Sequence, residues 1–323
     1  MMGNPYWGTD FFGFFFVFFQ RLFQLLKGDL SMERLASDEV QIFVLCCIGC
    51  ATAIVGSFLV LKKMTMLANA LSHTSLLGIV IAYLIMIPLA PDGKENLHGI
   101  SIQTLLIASI LTALLTTSLT QGFTQTMRLQ EDASIGLIFT TLFALGVVLI
   151  TCFTKNAHIG IEAIMGNVDA LHISDLKLGL WVLGINFVIV LSLFKEFKLI
   201  CFDSHLANTL GFSSGLFHYL LMVMTAATVI CAFRAVGVLL VLAFLVGPVL
   251  IARLYTHRLH MMILLSALIS VGISCVGVAL SRHILSVYQI PLSTSGLVVS
   301  LIALVFAVSV SFKFLKKGQV RHA

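Results

Sequence analysis

Residues 216–254 form a nearly continuous apolar segment that indicates the class of fold. It reads LFHYLLMVMTAATVICAFRAVGVLLVLAFLVGPVLIARL, and Arg234 and Arg253 are its only Lys, Arg, Asp or Glu residues. A helix needs about 20 mostly apolar residues to cross a bilayer, because hydrocarbon offers its backbone N–H and C=O groups no outside partner. The stretch is therefore long enough for two spanning helices, and we predict a tight turn between them at residues 233–235.

The same apolar character extends through most of the 323 residues. Hydrophobic residues make up 59% of the chain, charged residues only 10%, and the mean hydropathy is +1.07. A soluble domain of this size needs a surface in which roughly a quarter of the residues are charged. The composition therefore excludes a soluble protein and predicts that a bilayer is the main solvent.

Nine stretches are predicted to span the membrane, within a range of eight to ten that uncertain boundaries leave open. We expect an all-α fold with no sheet, a polytopic bundle of transmembrane helices. The predicted spans are 40–61, 66–90, 101–121, 133–153, 178–194, 216–233, 235–254, 260–281 and 295–314. They form a transmembrane domain at residues 40–314, between an N-terminal extension at 1–39 and a basic tail at 315–323.

Lysine and arginine placement predicts the orientation, because cytoplasmic loops carry an excess of both. Placing Lys62 and Lys63 in the cytoplasm puts the basic C-terminal tail on the same side. The net charge of +5 is then explained by the basic residues of the cytoplasmic loops and tail. Nucleic acid is not an expected partner. The cytoplasmic set also includes Arg128, Lys195, Lys198, Arg253, Arg258 and Lys313, and the opposite loops carry Lys94, Lys155, Arg282, Asp92, Glu95, Glu162 and Asp169.

The N-terminal extension contains a phenylalanine-rich segment at residues 11–26, which reads FFGFFFVFFQRLFQLL. It could be an extra span or an interfacial helix whose Gln20, Arg21 and Gln24 face lipid headgroups. Its 16 residues fall short of the roughly 20 that a span requires, which favours the interfacial helix. Residues 27–39 are polar and are predicted to be a linker.

Ionisable side chains inside spanning segments are costly and usually functional. His73 stands near the start of the second span, and Asn69 lies one helical turn before it on the same face. A neutral imidazole is the commonest side-chain ligand of transition metals, and an amide oxygen can complete such a site. The alternative is a histidine that hydrogen-bonds between helices without any metal, since one His and one Asn make a weak ligand set.

Other polar residues give weaker signals. Cys47 and Cys50 form a C-x-x-C pair, but a thiolate is disfavoured inside a membrane, so we expect them to pack between helices. Several histidines and acids fall in predicted external loops, where they either guide cations or form an ordinary solvated face; these are His98, His158, His172, His283, Glu162, Asp169 and Asp175.

Four motifs follow one another along the chain. They are MTMLANALSHTSLLG at residues 64–78, EDASIG at 131–136, Phe202 and Asp203 with Ala207, Leu210 and Gly211, and AVGVLL at 235–240 running on to Pro248, Ala252 and Arg253. In this order they resemble the motifs of the permease subunits of ABC-type importers for zinc, manganese and chelated iron. In the first motif Met64, Ala70, Ser72, His73 and Gly78 match the family pattern, whereas Ala68, Asn69 and Leu77 stand where the family usually has Gly, Asp and Pro.

The resemblance implies a type II importer permease fold and a path for a divalent metal ion, manganese, zinc or iron. His73 is the implied metal ligand, and Asn69 is a weaker candidate because it lacks the family's carboxylate. Residues 201–212 are implied to form a short coupling helix that docks on the ATPase, which Asp203 or Ser204 could cap and Gly211 could end.

The resemblance also implies the partners and the location. We expect a multi-pass protein of the cytoplasmic (inner) membrane, surrounded by lipid, that assembles with an ATPase subunit, an extracytoplasmic metal-binding protein and a second permease. That second permease could be identical or could be a different chain that supplies the missing carboxylate. No P-loop motif occurs in the sequence, so ATP hydrolysis is expected in the partner, and the only metal expected is the transported ion.

Two other classes of protein compete with the importer. A secondary transporter driven by an ion gradient would need titratable groups near the membrane midplane, and no Asp or Glu lies deep in any predicted span. An intramembrane enzyme would need a nucleophile with its base or a cluster such as H-E-x-x-H, and neither pattern occurs. The importer is therefore the favoured function.

Overall fold

The computed structural model describes residues 5–6, 10–27, 35–86, 102–127, 129–153 and 168–321. Apart from turns and short connections, these residues form helices, and none of them lies in a strand, as predicted. The helices are α1 (Phe11–Lys27), α2 (Ser37–Lys62), α3 (Thr65–Met86), α4 (Ile102–Met127), α5 (Glu131–Phe153), a 3-10 turn (Val168–Ala170), α6 (Ile173–Ser192), α7 (Phe194–Phe202), α8 (Ser204–Thr209), α9 (Ser214–Val236), α10 (Val238–Tyr255), α11 (Leu259–Tyr288) and α12 (Thr294–Arg321).

Eight helices of the described part are long and apolar enough to cross a bilayer, which confirms the predicted class of fold. They are α2, α4, α5, α6, α9, α10, α11 and α12. Helix α3 follows the predicted span 66–90 as far as residue 86. The loops at 87–101 and 154–167, and Arg128, lie outside the described residues, so the structure does not report on Asp92, Lys94, Glu95, His98, Lys155, His158 or Glu162.

The turn predicted at residues 233–235 lies elsewhere. Helix α9 continues through Arg234 to Val236, and the break falls at Gly237, whose φ is +82°. Glycine adopts this backbone conformation without the steric penalty that a Cβ imposes. Arg234 is half-buried and lies within α9. The helix therefore ends at the glycine, and the charged residue does not end it.

The chain forms two compact units. The first comprises residues 1–57, 167–187 and 235–323, and the second comprises residues 58–166 and 188–234. In the first unit, α10 packs against α11 and α12 and buries Leu240, Phe244 and Val249 completely. Lys313 of α12 donates a 2.8 Å hydrogen bond to the carbonyl of Leu254. The end of α10 and the C-terminal part of α12, both predicted to lie on the cytoplasmic side, are therefore in contact.

The N-terminal helix is attached to the first unit by a buried carboxylate. Glu39 accepts a 2.7 Å hydrogen bond from the Tyr6 hydroxyl and forms an ion pair with Arg21 of α1. The prediction that Arg21 faces lipid headgroups is therefore wrong, because its guanidinium turns towards Glu39. The predicted linker is also too long, since Ser37 already begins α2.

The two faces of α1 differ sharply. Phe14 and Phe18 are buried, whereas phenylalanines on the other side of the helix remain exposed: Phe12, Phe16, Phe19 and Phe23. Seventeen residues rise about 25 Å along a helix axis, less than the roughly 30 Å hydrocarbon thickness. The interfacial helix thus stays the favoured prediction for this segment.

A second ion pair lies beside the first, at the same end of α2. Asp38 pairs with Arg282, which belongs to α11 together with His283, so neither residue lies in a loop as predicted. A cavity of about 310 Å³ adjoins this pair; its polar lining includes Gln41, Asp169, Ser281 and Thr294. The Thr294 hydroxyl donates a hydrogen bond to Asp169, and the hydroxyls of Ser281 and Thr294 lie 3.0 Å apart, so three of the lining residues hydrogen-bond with one another.

Two cysteines of α2 contact neighbouring helices, and one of them, Cys47, belongs to the C-x-x-C pair expected to pack between helices. Cys46 of α2 hydrogen-bonds with Cys275 of α11, and Cys47 and Cys50 are half-buried free thiols. Cys47 also approaches Gly179 of α6, where a Cβ would lie 3.5 Å from the cysteine Cβ. Small side chains of this kind allow helix backbones to come close together within a bilayer.

The second unit is centred on α3, which packs against α4 and α5. Gly78 makes the close approach to α4: a Cβ there would lie 2.3 Å from the Thr112 hydroxyl and 2.7 Å from the Ala108 carbonyl. Leu77 packs with Ile138 and Leu142 of α5. The glycine of the second-span motif is thus required by helix packing.

Candidate functional site

Helix α3 carries the candidate metal-binding pair and is joined to α2 by a tight turn. Lys63 has a φ of +63°, and the amides of Lys63 and Met64 donate to the carbonyls of Val60 and Leu59. This is the Schellman arrangement that ends a helix on a left-handed residue. Met64 is almost completely buried, so the turn fixes where α3 starts relative to the end of α2.

Asn69 and His73 are both half-buried, one turn apart on α3. The His73 imidazole lies between two rings of α5, with centroid distances of 5.4 Å to Phe139 and 5.5 Å to Phe143. These contacts hold the ring orientation through aromatic packing. These aromatic contacts are compatible with both hypotheses for His73, a ligand of the passing metal ion and a histidine packed between helices.

The described part of the chain contains no group of three or more His, Cys, Asp or Glu residues able to hold a metal ion. Resident structural metal sites commonly use four protein ligands, so His73 and Asn69 alone make a sparse set. The assignment of His73 and Asn69 to a metal path stays a prediction.

The predicted coupling segment does form a short capped helix. The Asp203 carboxylate accepts hydrogen bonds from the backbone amides of His205 and Leu206, at 3.0 and 2.9 Å, and so caps α8. At the other end, Gly211 has a φ of +88°. The amides of Gly211 and Phe212 donate to the carbonyls of Asn208 and Ala207, a second Schellman turn. Both predicted boundaries are confirmed.

An exposed apolar patch surrounds α8, and we name it the coupling surface. Phe202 is 63% exposed and Leu210 is 60% exposed. The surface consists of Phe202, Leu206, Leu210, Phe212 and Leu216. Large apolar side chains that are exposed at neighbouring positions of the chain, in a segment between two spans, make this surface a candidate interaction site.

The sequence predicts only some of the residues of the coupling surface. The predicted set contains Phe202 and Leu210 but not Leu206, which lies on α8 between them and is 47% exposed. It also includes Ala207 among the docking residues, whereas Ala207 is completely buried. Ala207 therefore contributes by letting α8 pack closely on the residues beneath it.

These observations define a class of protein: a multi-pass helical membrane protein with a capped apolar helix between two spans. The chain belongs to the ABC 3 transport family, whose sequence model matches residues 40–313. The match covers nearly the whole of the transmembrane domain predicted at 40–314 and confirms the resemblance seen in the four motifs.

Three relatives extend this finding. A protein described as a probable metal transport system membrane protein of Chlamydia trachomatis is 40% identical over 315 residues, covering 98% of this chain and 96% of that protein. The manganese transport system membrane protein MntD of Bacillus subtilis is 38% identical, covering 71% of this chain and 78% of MntD. The chelated iron transport system membrane protein YfeD of Yersinia pestis is 30% identical, with 83% and 82% covered.

Two solved structures share the fold. The complex of PsaBC from Streptococcus pneumoniae with a Fab has a TM-score of 0.68 at 23% identity, covering 86% of this chain and 92% of the other. An inward-facing putative metal-chelate type ABC transporter has a TM-score of 0.59 at 17% identity, covering 84% and 86%. At these identities the likeness concerns the fold.

Proposed function

We propose that this chain is the membrane-spanning permease subunit of an ATP-binding-cassette importer that carries a divalent transition-metal ion into the cytoplasm by alternating access. The observation that carries the proposal is the 40% identity, over almost the whole chain, to a protein described as part of a metal transport system. Manganese, zinc and iron are the candidate ions, and the membrane is the cytoplasmic (inner) membrane.

The coupling surface supports an ATPase subunit as partner. It presents large apolar side chains next to the basic residues Lys195 and Lys198, which the charge bias assigns to the cytoplasm. A capped helix holds this surface in one shape, so little conformational entropy is lost on docking. ATP hydrolysis takes place in the partner, and this chain catalyses no covalent reaction.

The weak ligand set of α3 supports a transported rather than a resident metal ion. An extracytoplasmic binding protein delivers the ion, and no permanently bound cofactor is required. Asn69 brings no charge where the family usually has a carboxylate, so a second permease that provides a carboxylate would strengthen metal binding along the path. In a heterodimer the other chain supplies that carboxylate. In a homodimer it is missing from both chains, and the metal ion is then bound only weakly at this point.

The gradient-driven transporter is the less favoured function. Among the described residues, acids of the spanning helices lie in first turns: Asp38, Glu39, Glu131, Asp132 and Asp175. Asp38 and Glu39 are further neutralised by Arg282 and Arg21. Proton or sodium coupling through carboxylates at the midplane has no support in this arrangement.

The test is metal uptake by cells that carry the whole assembly, encoded with the neighbouring reading frames for a P-loop ATPase and a lipoprotein-like binding protein. Uptake of Mn²⁺, Zn²⁺ and Fe²⁺ is measured with each ion in competition. We expect one of these ions to accumulate only when the ATPase is active. Uptake that persists with an inactive ATPase and collapses with an ionophore would overturn the proposal in favour of a gradient-driven transporter.

A further inference from the structure

Within the second unit, a column of four phenylalanine rings runs inward from the coupling surface. Phe212, on the coupling surface, packs against Phe217 of α9 with ring centroids 6.5 Å apart. Phe217 packs edge-on against Phe197 of α7 at 5.5 Å, and Phe197 packs against Phe58 of α2 at 5.3 Å. Each distance lies in the range of favourable aromatic pairs.

The inner end of this column is tightly packed. Phe58 is completely buried and Phe197 is 2% exposed, so neither ring has free space into which it could move independently. Helix α7 carries Phe197 inward and Phe202 outward onto the coupling surface, and it leads directly into the Asp203 cap of α8. A displacement of the coupling surface is therefore imposed on Phe197.

A polar contact ties the same elements together. The ammonium group of Lys62, the last residue of α2, lies 3.3 Å from Nδ1 of His218, which follows Phe217 on α9. Phe58 and Lys62 stand one turn apart, so both contacts act on the final turn of α2. Directly after Lys62 comes the Schellman turn at Lys63 and Met64 that fixes the start of α3.

We infer that the column of Phe212, Phe217, Phe197 and Phe58 is the mechanical link by which the coupling surface moves the α2–α3 turn, with Phe197 as its central positioning residue. The inference rests on the proposed function, because it assumes an ATPase docked at the coupling surface. The column ends on Phe58 of α2, and the tight turn at Lys63 and Met64 joins α2 to α3, the helix that carries Asn69 and His73. ATPase closure is thereby transmitted towards the candidate metal path through packed rings.

The contacts of Phe197 are stiff because its ring packs edge-on against Phe217 and at a tilt of 44° against Phe58. Closely packed rings resist displacement, whereas a leucine in place of Phe197 leaves unfilled space that absorbs part of it. The coupling surface itself is unchanged by that substitution. Phe197→Leu should therefore preserve ATPase docking while weakening the connection between hydrolysis and transport.

The experiment uses the complete transporter in proteoliposomes, with Mn²⁺ as the transported ion, or Zn²⁺ if the parent complex prefers it. The measured quantity is the number of ions taken up per ATP hydrolysed. We expect Phe197→Leu and Phe58→Leu to retain the ATPase and its hydrolysis but to lower this ratio by about threefold or more. The double variant should be little worse than either single variant, because both break one link.

The matched control is Phe187→Leu, a phenylalanine on α6 that is 56% exposed and outside the column; its ratio should equal that of the parent. An unchanged ratio for Phe197→Leu would overturn the inference. If Phe197→Leu fails to assemble, the half-buried Phe217→Leu is measured instead, and failure of both to assemble with the ATPase means that the column is only structural. A parent complex whose uptake does not depend on ATP would instead refute the proposed function.

Discussion

Asp38, in the first turn of α2, pairs with Arg282 of α11 across 244 residues of sequence, with Oδ2 lying 2.8 Å from Nη2 and 3.1 Å from Nε. Both side chains are almost fully buried, so each charge depends on the other for compensation. The ion pair holds the N-terminal end of α2 against α11 within the first unit.

Removing one partner of this pair should destabilise the protein strongly. We expect Arg282→Gln to lower the free energy of unfolding by about 3 kcal/mol, because the buried Asp38 carboxylate loses the compensating charge of the Arg282 guanidinium. Thermal unfolding of the purified protein in detergent measures the loss. The exposed Asp10→Asn serves as a control, and the double variant Asp38→Leu with Arg282→Met should recover much of the stability. A Tm for Arg282→Gln equal to that of the parent would show that the pair does not stabilise the fold.

The contact between Tyr6 and Glu39, which attaches α1 to the first unit, should weaken at alkaline pH. Burial, together with the hydrogen bond to Glu39, raises the pKa of the Tyr6 phenol above its ordinary value. The folded state therefore holds this proton more tightly than the unfolded state does. Its contribution to stability is complete below about pH 10 and is lost as the pH rises through the higher folded pKa. Hydrogen exchange of α1 amides between pH 7 and pH 11 should reveal this loss in the parent, and Tyr6→Phe should lack that component.

Both ends of α8 should matter for ATPase binding. Asp203→Lys removes the cap, and Gly211→Val forces a β-branched residue into a left-handed conformation, each at a cost of about 1–2 kcal/mol to the local structure. We expect both variants to insert into the membrane normally and to lose co-purification of the ATPase. Asp203→Asn, which can still cap, and Gly122→Ala on α4 should retain it. Undiminished co-purification with Asp203→Lys and Gly211→Val would remove the coupling assignment.

The role of His73 can be separated from its packing. His73→Ala should abolish metal uptake without lowering the amount of assembled complex, as expected for a transit ligand. Because the imidazole packs between Phe139 and Phe143, His73→Phe offers a ring of similar shape without a metal-binding nitrogen. It should be as inactive as the alanine variant, whereas a packing role predicts that phenylalanine restores uptake. Asn69→Asp should preserve transport and strengthen metal retention by adding a carboxylate.

The C-terminus is predicted to be cytoplasmic. A reporter enzyme that is active only outside the cytoplasm, fused after Ala323, should give no signal, and a reporter active in the cytoplasm should give a strong one. The reverse pattern would overturn the orientation derived from Lys62, Lys63 and the basic tail.

The sequence by itself determined the class of the protein and much of its local structure. Spanning helices can be read from sequence because every backbone polar group in hydrocarbon must be satisfied within its own helix, so a long apolar run leaves little choice. The ends of α8 could be read for a similar reason. A cap at Asp203 and a left-handed residue at Gly211 act within a few residues of the chain.

Only the tertiary structure decided which polar and aromatic side chains meet. The partners Asp38 and Arg282, and Tyr6, Arg21 and Glu39, are far apart in the chain, and no local pattern encodes their contact. The phenylalanine column is invisible in the sequence because a phenylalanine in an apolar helix suits lipid as well as a protein neighbour. The turn predicted at residues 233–235 is wrong because a single charge does not end a helix: α9 continues through Arg234 to Val236, and the positive φ of Gly237 permits the break there.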